Sequence, residues 1–409
     1  MVPNGWEEKS LKDICQKTIS YGIVQTGENI ENGVPCVRVV DLSKNTLNPV
    51  EMIKTSDKIH QSYKKTILCE GELMMALRGE IGLVKKVTPE LVGANITRGL
   101  ARLSPIKSVD SDYLLWTLRS NKIKNELSRK SGGSALQEIA LGSLRKVVLP
   151  IPPLPEQRKI AKILSTWDKA ISTTEKLIEA SKQQKKALMQ QLLTGKKRLV
   201  NPETGKMFEG EWEEVRFDHC CDIVEGQVDP KDEPYASMPH IGPGNMEKFT
   251  GVLREYKSAK EDGQTSGKYL FEKDHILYGK INPHFAKVCF PKFSGVCSAD
   301  TYPIKVKGVL TCPKFLMYSL LSKRFTSYAV SVSARTGMPK INRNDLSAFK
   351  FLVPSSNEQQ KIASVLTTAD KEIEVLEAKL AHFKQEKKAL MQQLLTGKRR
   401  VMVADAEAA

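Results

Sequence analysis

The residues of this chain best suited to chemistry are basic and amide side chains set in glycine-marked stretches, and the chemistry they suit is contact with a polyanion. In the first part of the chain these are Arg38, Lys44, Asn45, Arg78, Lys85, Arg98 and the stretch Ser131, Gly132, Gly133 and Ser134. In the second part they are His240, Asn245, Lys280, Asn282, His284, Lys287, Arg335, Thr336 and Lys340. Lysine and arginine neutralise phosphates, while arginine, amide and hydroxyl side chains on presented loops read base edges. Glycine permits close backbone approach. The alternative at each basic position is an exposed charge without a contact, and at each glycine stretch an ordinary turn before the next strand.

Bond-making chemistry finds no comparable support. There is no GxxxxGK[ST] loop, which excludes nucleotide hydrolysis of that kind. No Asp/Asn-Pro-Pro-Tyr/Phe tetrapeptide occurs, so no adenine-N6 methyltransferase site is expected. Glu255-Tyr256-Lys257 matches half of a nuclease motif at a length that chance supplies readily. The six histidines form no H-E-x-x-H arrangement, and His219-Cys220-Cys221 lacks a second ligand pair at zinc-site spacing. No catalytic residue, no metal site and no cofactor are therefore expected, and the eight cysteines read as reduced, mostly buried thiols.

Charge agrees with the polyanion reading. The net charge is +16 and is dispersed, with +6 over residues 1–150 and +7 over 151–200. Phosphates favour positive charge distributed in this way. A chain of 409 residues predicts two or more domains. No run of about 18 uncharged apolar residues exists to span a membrane. The N-terminal sequence Met1-Val2-Pro3-Asn4-Gly5-Trp6-Glu7-Glu8 lacks a signal-peptide layout, so a cytoplasmic location is expected.

The elements that must position these residues are announced by a duplication. Lys185 to Lys196 returns letter for letter as Lys387 to Lys398, and Glu156 to Leu199 carries 26 identities in 44 positions against Glu358 to Val401. Fainter echoes extend it: Gly5-Trp6-Glu7-Glu8 with Glu211-Trp212-Glu213-Glu214, and Tyr113–Leu118 with Phe315–Leu320. The plan is globular unit, long helix, globular unit, long helix.

In the first long helix Ile160, Leu164, Trp167, Ile171, Thr174, Ile178, Ser181, Lys185, Leu188 and Leu192 recur at alternating spacings of four and three. In the second, Ile362, Leu366, Ala369, Ile373, Leu376, Leu380, Phe383, Lys387, Leu390 and Leu394 do the same. This is a heptad seam, and it predicts coiled-coil packing. The helices pair with each other or with a third chain, and antiparallel pairing within the chain suits the linkers. Trp167 against Ala369 suggests large-against-small complementarity. Pro155 suits a first helical position, Ser356-Asn357-Glu358-Gln359 reads as a capping box, and Gly195 and Gly397 mark the exits. Each rod is about 60 Å long.

Within the globular units, strands are expected at Val37–Val39, Leu73–Leu77, Ile81–Val84, Lys86–Val87, Ile276–Tyr278 and Ala286–Phe290. One helix per unit is expected, at about Ser111–Leu127 and Pro313–Ser327.

On these residues the chain resembles the DNA-specificity subunits of type I restriction-modification systems. The resemblance rests on the entry Pro152-Pro153-Leu154-Pro155-Glu156-Gln157, its weaker copy Pro354–Gln359, and the Leu-Leu-Thr-Gly-Lys exits at Leu192–Lys196 and Leu394–Lys398. Ser355-Ser356-Asn357 departs from the first copy. The resemblance implies an α+β fold with internal pseudo-two-fold symmetry, in which two mixed α/β target-recognition domains are separated by two long helices forming an antiparallel coiled coil. The corresponding boundaries are 1–151 and 199–353 for the domains, 152–198 and 354–400 for the helices, and 401–409 for a tail.

The resemblance further implies that each domain reads half of a split sequence in double-stranded DNA. Two methyltransferase subunits would dock on the helices and bring S-adenosylmethionine and base flipping, with restriction subunits joining the full complex. Glu156, Gln157, Glu358 and Gln359, at the helix starts, either stabilise the first turn or contact a methyltransferase. The helices would set the spacer between half-sites as a ruler. Three other readings stay open: a stand-alone tandem DNA-binding regulator or tether, a specificity-like subunit of a related restriction-modification system, and a fused modification enzyme.

Overall fold

The structure is a computed structural model that describes residues 2–131, 137–333 and 337–403. It divides into two compact units, one of residues 1–175 with 379–409 and the other of residues 176–378. Both long helices, Leu154–Leu192 and Ser356–Leu394, cross this division. The compact units therefore cut through the helices, and do not end at the domain boundaries expected from the sequence.

In the first unit a four-stranded antiparallel sheet runs in the order Ser20–Tyr21, Leu100–Leu103, Leu73–Ala76, Val84–Lys86. A second sheet pairs Val34–Val37 antiparallel with Ile53–Thr55 and parallel with Asn95–Ile96. A ribbon of Glu7–Ser10 against Val148–Ile151 brings the two ends of the globular part together. The core gathers Leu73, Met75, Tyr113, Leu114 and Leu118 with the helix residues Ile160 and Leu164.

The second unit repeats the plan. Its four-stranded sheet orders Cys221–Ile223, Thr301–Val306, Ile276–Gly279, Val288–Cys289. Pro239–Ile241 pairs parallel with Gly295–Cys297, as Val34–Val37 does with Asn95–Ile96. Gln227–Val228 and Lys268–Phe271 are additions that extend this second sheet to five strands. Glu213–Arg216 against Lys350–Val353 forms the ribbon.

Several local expectations are corrected. Val39 belongs to a short helical turn after the strand Val34–Val37, because Asp41 accepts from the Arg38 N–H at 3.0 Å and caps that turn. Ile81 to Leu83 form a hairpin turn, and the strand begins at Val84. Ala286 likewise turns, and the strand is Val288–Cys289. Each expected single helix is two helices, Ser111–Arg119 with Asn121–Lys130 and Pro313–Leu321 with Lys323–Ser333. Ser120 and Ser322 break them, being extended and turning their hydroxyls to the N–H three residues on.

The long helices show their seam as read. Each spans 39 residues, and none of the twenty seam positions is exposed. Within the first unit, residues 154–175 of one helix meet 379–394 of the other in opposite directions, through Asp168 with Lys387 and Glu175 with Lys384 at 2.8 Å. Within the second, residues 176–192 and 356–378 meet through Lys185 with Asp370 and Lys182 with Glu377 at 2.6 Å. The polar seam lysines are thus neutralised across the seam. Trp167 packs edge-on against Phe383 at 5.5 Å between ring centroids. Gly195 and Gly397 adopt φ of +69° and +71° at the exits, as expected. The capping box is not made, because Ser356 bonds Thr311 and the Gln359 amide bonds Thr311 N–H, Val309 O and Pro354 O.

Candidate nucleic-acid interface

Three loops converge at one edge of each unit, and the two sets are built alike. The centre of each is a hairpin, residues 77–83 in the first unit and 280–287 in the second. Leu77 N–H donates to Gly99 O at 2.8 Å, and Leu77 O accepts from Ile139 N–H at 3.0 Å. Lys280 does the same with Asp300 O at 2.9 Å and Ile341 N–H at 3.1 Å. Gly79 and Gly82 take φ of +65° and +80°, and at the matching bends Asn282 and Ala286 take +51° and +43°. Side chains therefore occupy left-handed positions in the second hairpin that the first leaves to glycine, which is strained backbone held by its surroundings.

The second loop follows the parallel strand. Arg38 is bound through Nε and Nη2 to the buried Asp41 carboxylate at 3.0 and 3.2 Å. Asn245 plays the Asp41 part in the other unit, accepting from Gly242 N–H at 2.9 Å and donating to Glu255 O at 2.7 Å. A lysine then ties this loop to the hairpin: Lys85 Nζ donates to Lys44 O, and Lys287 Nζ to Pro243 O at 2.5 Å. Burial holds both ammonium groups below their ordinary pKa, helped by Arg119 and Lys248 respectively. The third loop is residues 97–99 and 298–300.

The candidates thus sort into two groups. Arg38, Arg78, Lys85, Asn245 and Lys287 are engaged in building the loops, with Arg78 Nε 2.9 Å from Glu138 Oε1. They are not free contacts. His240 is also corrected: it is buried on Pro239–Ile241 with Nδ1 2.7 Å from Asp262, and burial depresses its pKa. The presented group comprises Asn45, Arg98, His284 and Lys340, whose side chains are exposed and have no ion pair among the described residues, with Asn282 half-buried beside them. Lys44 is exposed and paired to Glu51 at 3.0 Å, and Lys280 lies 3.7 Å from Asp300 and 5.5 Å from the Tyr302 ring. Ser131 caps its helix by donating to Ser128 O at 2.6 Å. Gly132, Gly133, Ser134, Arg335 and Thr336 lie outside the described residues.

Sequence reasoning missed Lys248 and Phe249. Lys248 Nζ stands 3.6 Å from the Phe285 ring, and Phe249 is exposed with φ of +67° beside the hairpin. An aromatic directly after a lysine was the available signal. Glu272, Asp274 and His275 also approach one another, but Lys305 lies 3.8 and 3.5 Å from the two carboxylates and supplies their countercharge.

The expected methyltransferase contact through Glu156, Gln157, Glu358 and Gln359 is corrected by burial. Gln157 accepts from Asp110 N–H at 2.8 Å and donates to Ser108 O and Pro152 O. Gln359 repeats this with Thr311, Val309 and Pro354. Glu156 binds Arg400 and Trp6, and Glu358 binds Arg198 and Trp212. These four residues seat each globular part on the helix start and present no surface to a partner.

Residues 3–182 and 209–385 match the family model for the type I restriction modification DNA specificity domain. The chain belongs to this family. Among its relatives, the EcoDI type I restriction enzyme specificity subunit of Escherichia coli is 31% identical over 279 residues, 62% of this chain and 61% of that subunit. The MjaVIII specificity subunit of Methanocaldococcus jannaschii is 27% identical over 417 residues, 98% of this chain and 94% of that one. The crystal structure of the S subunit of the type I restriction-modification system from M. genitalium shares the fold, with a TM-score of 0.58 at 14% identity, covering 98% of this chain and 99% of that one. The doubled family match coincides with the doubled loop cluster, and among the described residues no helix is long and apolar enough to cross a membrane.

Proposed function

We propose that this specificity-family chain reads a bipartite sequence in double-stranded DNA, one half with each loop cluster, and that it performs no catalysis itself. The observation that carries this is a common backbone framework presenting different side chains, Asn45 and Arg98 in one unit and Asn282, His284 and Lys340 in the other. A framework of this kind holds two readers alike while their specificities differ. Two methyltransferase subunits dock on the long helices and supply adenine-N6 methylation, and restriction subunits join the full complex in the cytoplasm. The two reading domains would be 1–151 and 199–353.

Co-expression with a cognate methyltransferase, followed by mapping of methylated adenines, tests the proposal. Exchange of residues 1–150 for those of a relative changes one half of the mapped site. A change in both halves defeats the two-domain assignment, and sharp specific binding by the isolated chain at full affinity favours a stand-alone regulator instead.

A further inference from the structure

The first unit contains a cleft of about 910 Å³ on the far flank of its hairpin, bordered by Glu80 to Val84, by the helices Ser111–Arg119 and Asn121–Lys130, and by the last turns of Ser356–Leu394. Its charge is one-sided. Seven cationic residues line it, against the single carboxylate of Glu80. Three have structural duties. Arg119 donates to Val84 O at 2.9 Å, Lys384 pairs with Glu175, and Lys387 pairs with Asp168 while lying 4.3 Å from the Trp116 ring. Lys122, Lys124, Lys388 and Lys398 are exposed and have no ion-pair partner among the described residues. Four unpaired ammonium groups around one concavity are kept apart by repulsion and gain from a bound polyanion.

The second unit repeats this cleft's charge only in part. The helix-end lysines recur as Lys182, Lys185, Lys186 and Lys196, and Asn121 becomes the exposed Lys323, but Arg119 becomes Leu321 and Lys124 becomes Thr326. Lys122 becomes Arg324, which is paired with Glu214 at 3.4 Å. Two identical protein partners on a duplicated scaffold need two equivalent faces, and the two faces carry different sets of charges. A DNA backbone leaving the hairpin needs no such symmetry.

We infer that this cleft holds the phosphate backbone of DNA running beyond the half-site read by the first unit, through Lys122, Lys124, Lys388 and Lys398. The inference rests on the proposed function and adds to it a sequence-independent anchor beside the hairpin of the first unit. Each phosphate neutralised contributes about 0.9 to the slope of log affinity against log salt.

The test uses the complex with methyltransferase and compares the wild type with the quadruple variant Lys122→Gln, Lys124→Gln, Lys388→Gln and Lys398→Gln, on the same cognate duplex. The expected result is a slope shallower by about 3 to 4 with an unchanged methylated sequence. An unchanged slope in a complex that assembles normally overturns the inference, and so does loss of methyltransferase binding, which would make the cleft a protein-docking face. A wild-type complex without sequence-specific binding would instead defeat the proposed function itself, which separates the two failures.

Discussion

Replacing Glu358 by glutamine should open the second unit locally far more than the same change at Glu156 opens the first. The Glu358 side chain is 1% exposed and receives Arg198 Nε and Nη2 at 2.7 Å each and Trp212 Nε1 at 3.2 Å. Glutamine removes the charge and turns an amide donor toward one of these donors. Breaking a buried pair by altering one partner costs about 3–5 kcal/mol. Arg198 keeps 22% exposure and retains its bonds to Gly210 O and Glu209 O, which lowers the expected cost to about 3 kcal/mol. Arg400, the partner of Glu156, is 42% exposed, so solvent replaces more of the lost interaction and about 1.5 kcal/mol is expected there.

Hydrogen exchange of the intact chain measures both. Protection at Glu213–Arg216 and at the start of Ser356–Leu394 should fall about 100-fold in Glu358→Gln. Protection at Glu7–Ser10 and at the start of Leu154–Leu192 should fall about 10-fold in Glu156→Gln. Equal losses in the two variants, or a loss below about 5-fold for Glu358→Gln, would refute the view that solvent exposure of the arginine decides the strength of these paired seats.

Three further outcomes follow from the same structure. Lys85→Met frees the loop after Val34–Val37 by removing one bond worth roughly 1–2 kcal/mol, and mapped methylation should relax only in the half-site of the first unit, with the salt slope unchanged; Lys287→Met should do the same for the other half. Burial depresses the pKa of His240 and His275, so the unfolded chain binds their protons first: their contribution to the second unit is complete above about pH 6.5 and is lost as pH falls through the folded values, and His240→Asn with His275→Asn should flatten that acid limb in a stability-against-pH titration. Four residues added to one long helix lengthen it by about 6 Å, close to two base pairs, and the mapped spacer should grow accordingly; an unchanged spacer would sink the ruler idea.

The sequence by itself determined the duplication, the two long helices, their seam and their glycine exits. These signals are local: a heptad period or a left-handed glycine is visible within a few residues of itself. It also pointed to one region of each unit, since Arg78, Arg98, Lys280 and Asn282 all fall in the three-loop clusters. Tertiary structure alone decided what each polar residue does there. Lys85 serves a carbonyl 41 positions earlier, Arg198 a carboxylate 160 positions later, and Arg400 one 244 positions earlier. Lys85 and Lys398 look alike as letters, yet one ties a loop in place and the other is left open to solvent. The physical reason is that a charge is spent or available according to which groups the fold brings within about 3 Å of it, and chain spacing does not encode that distance.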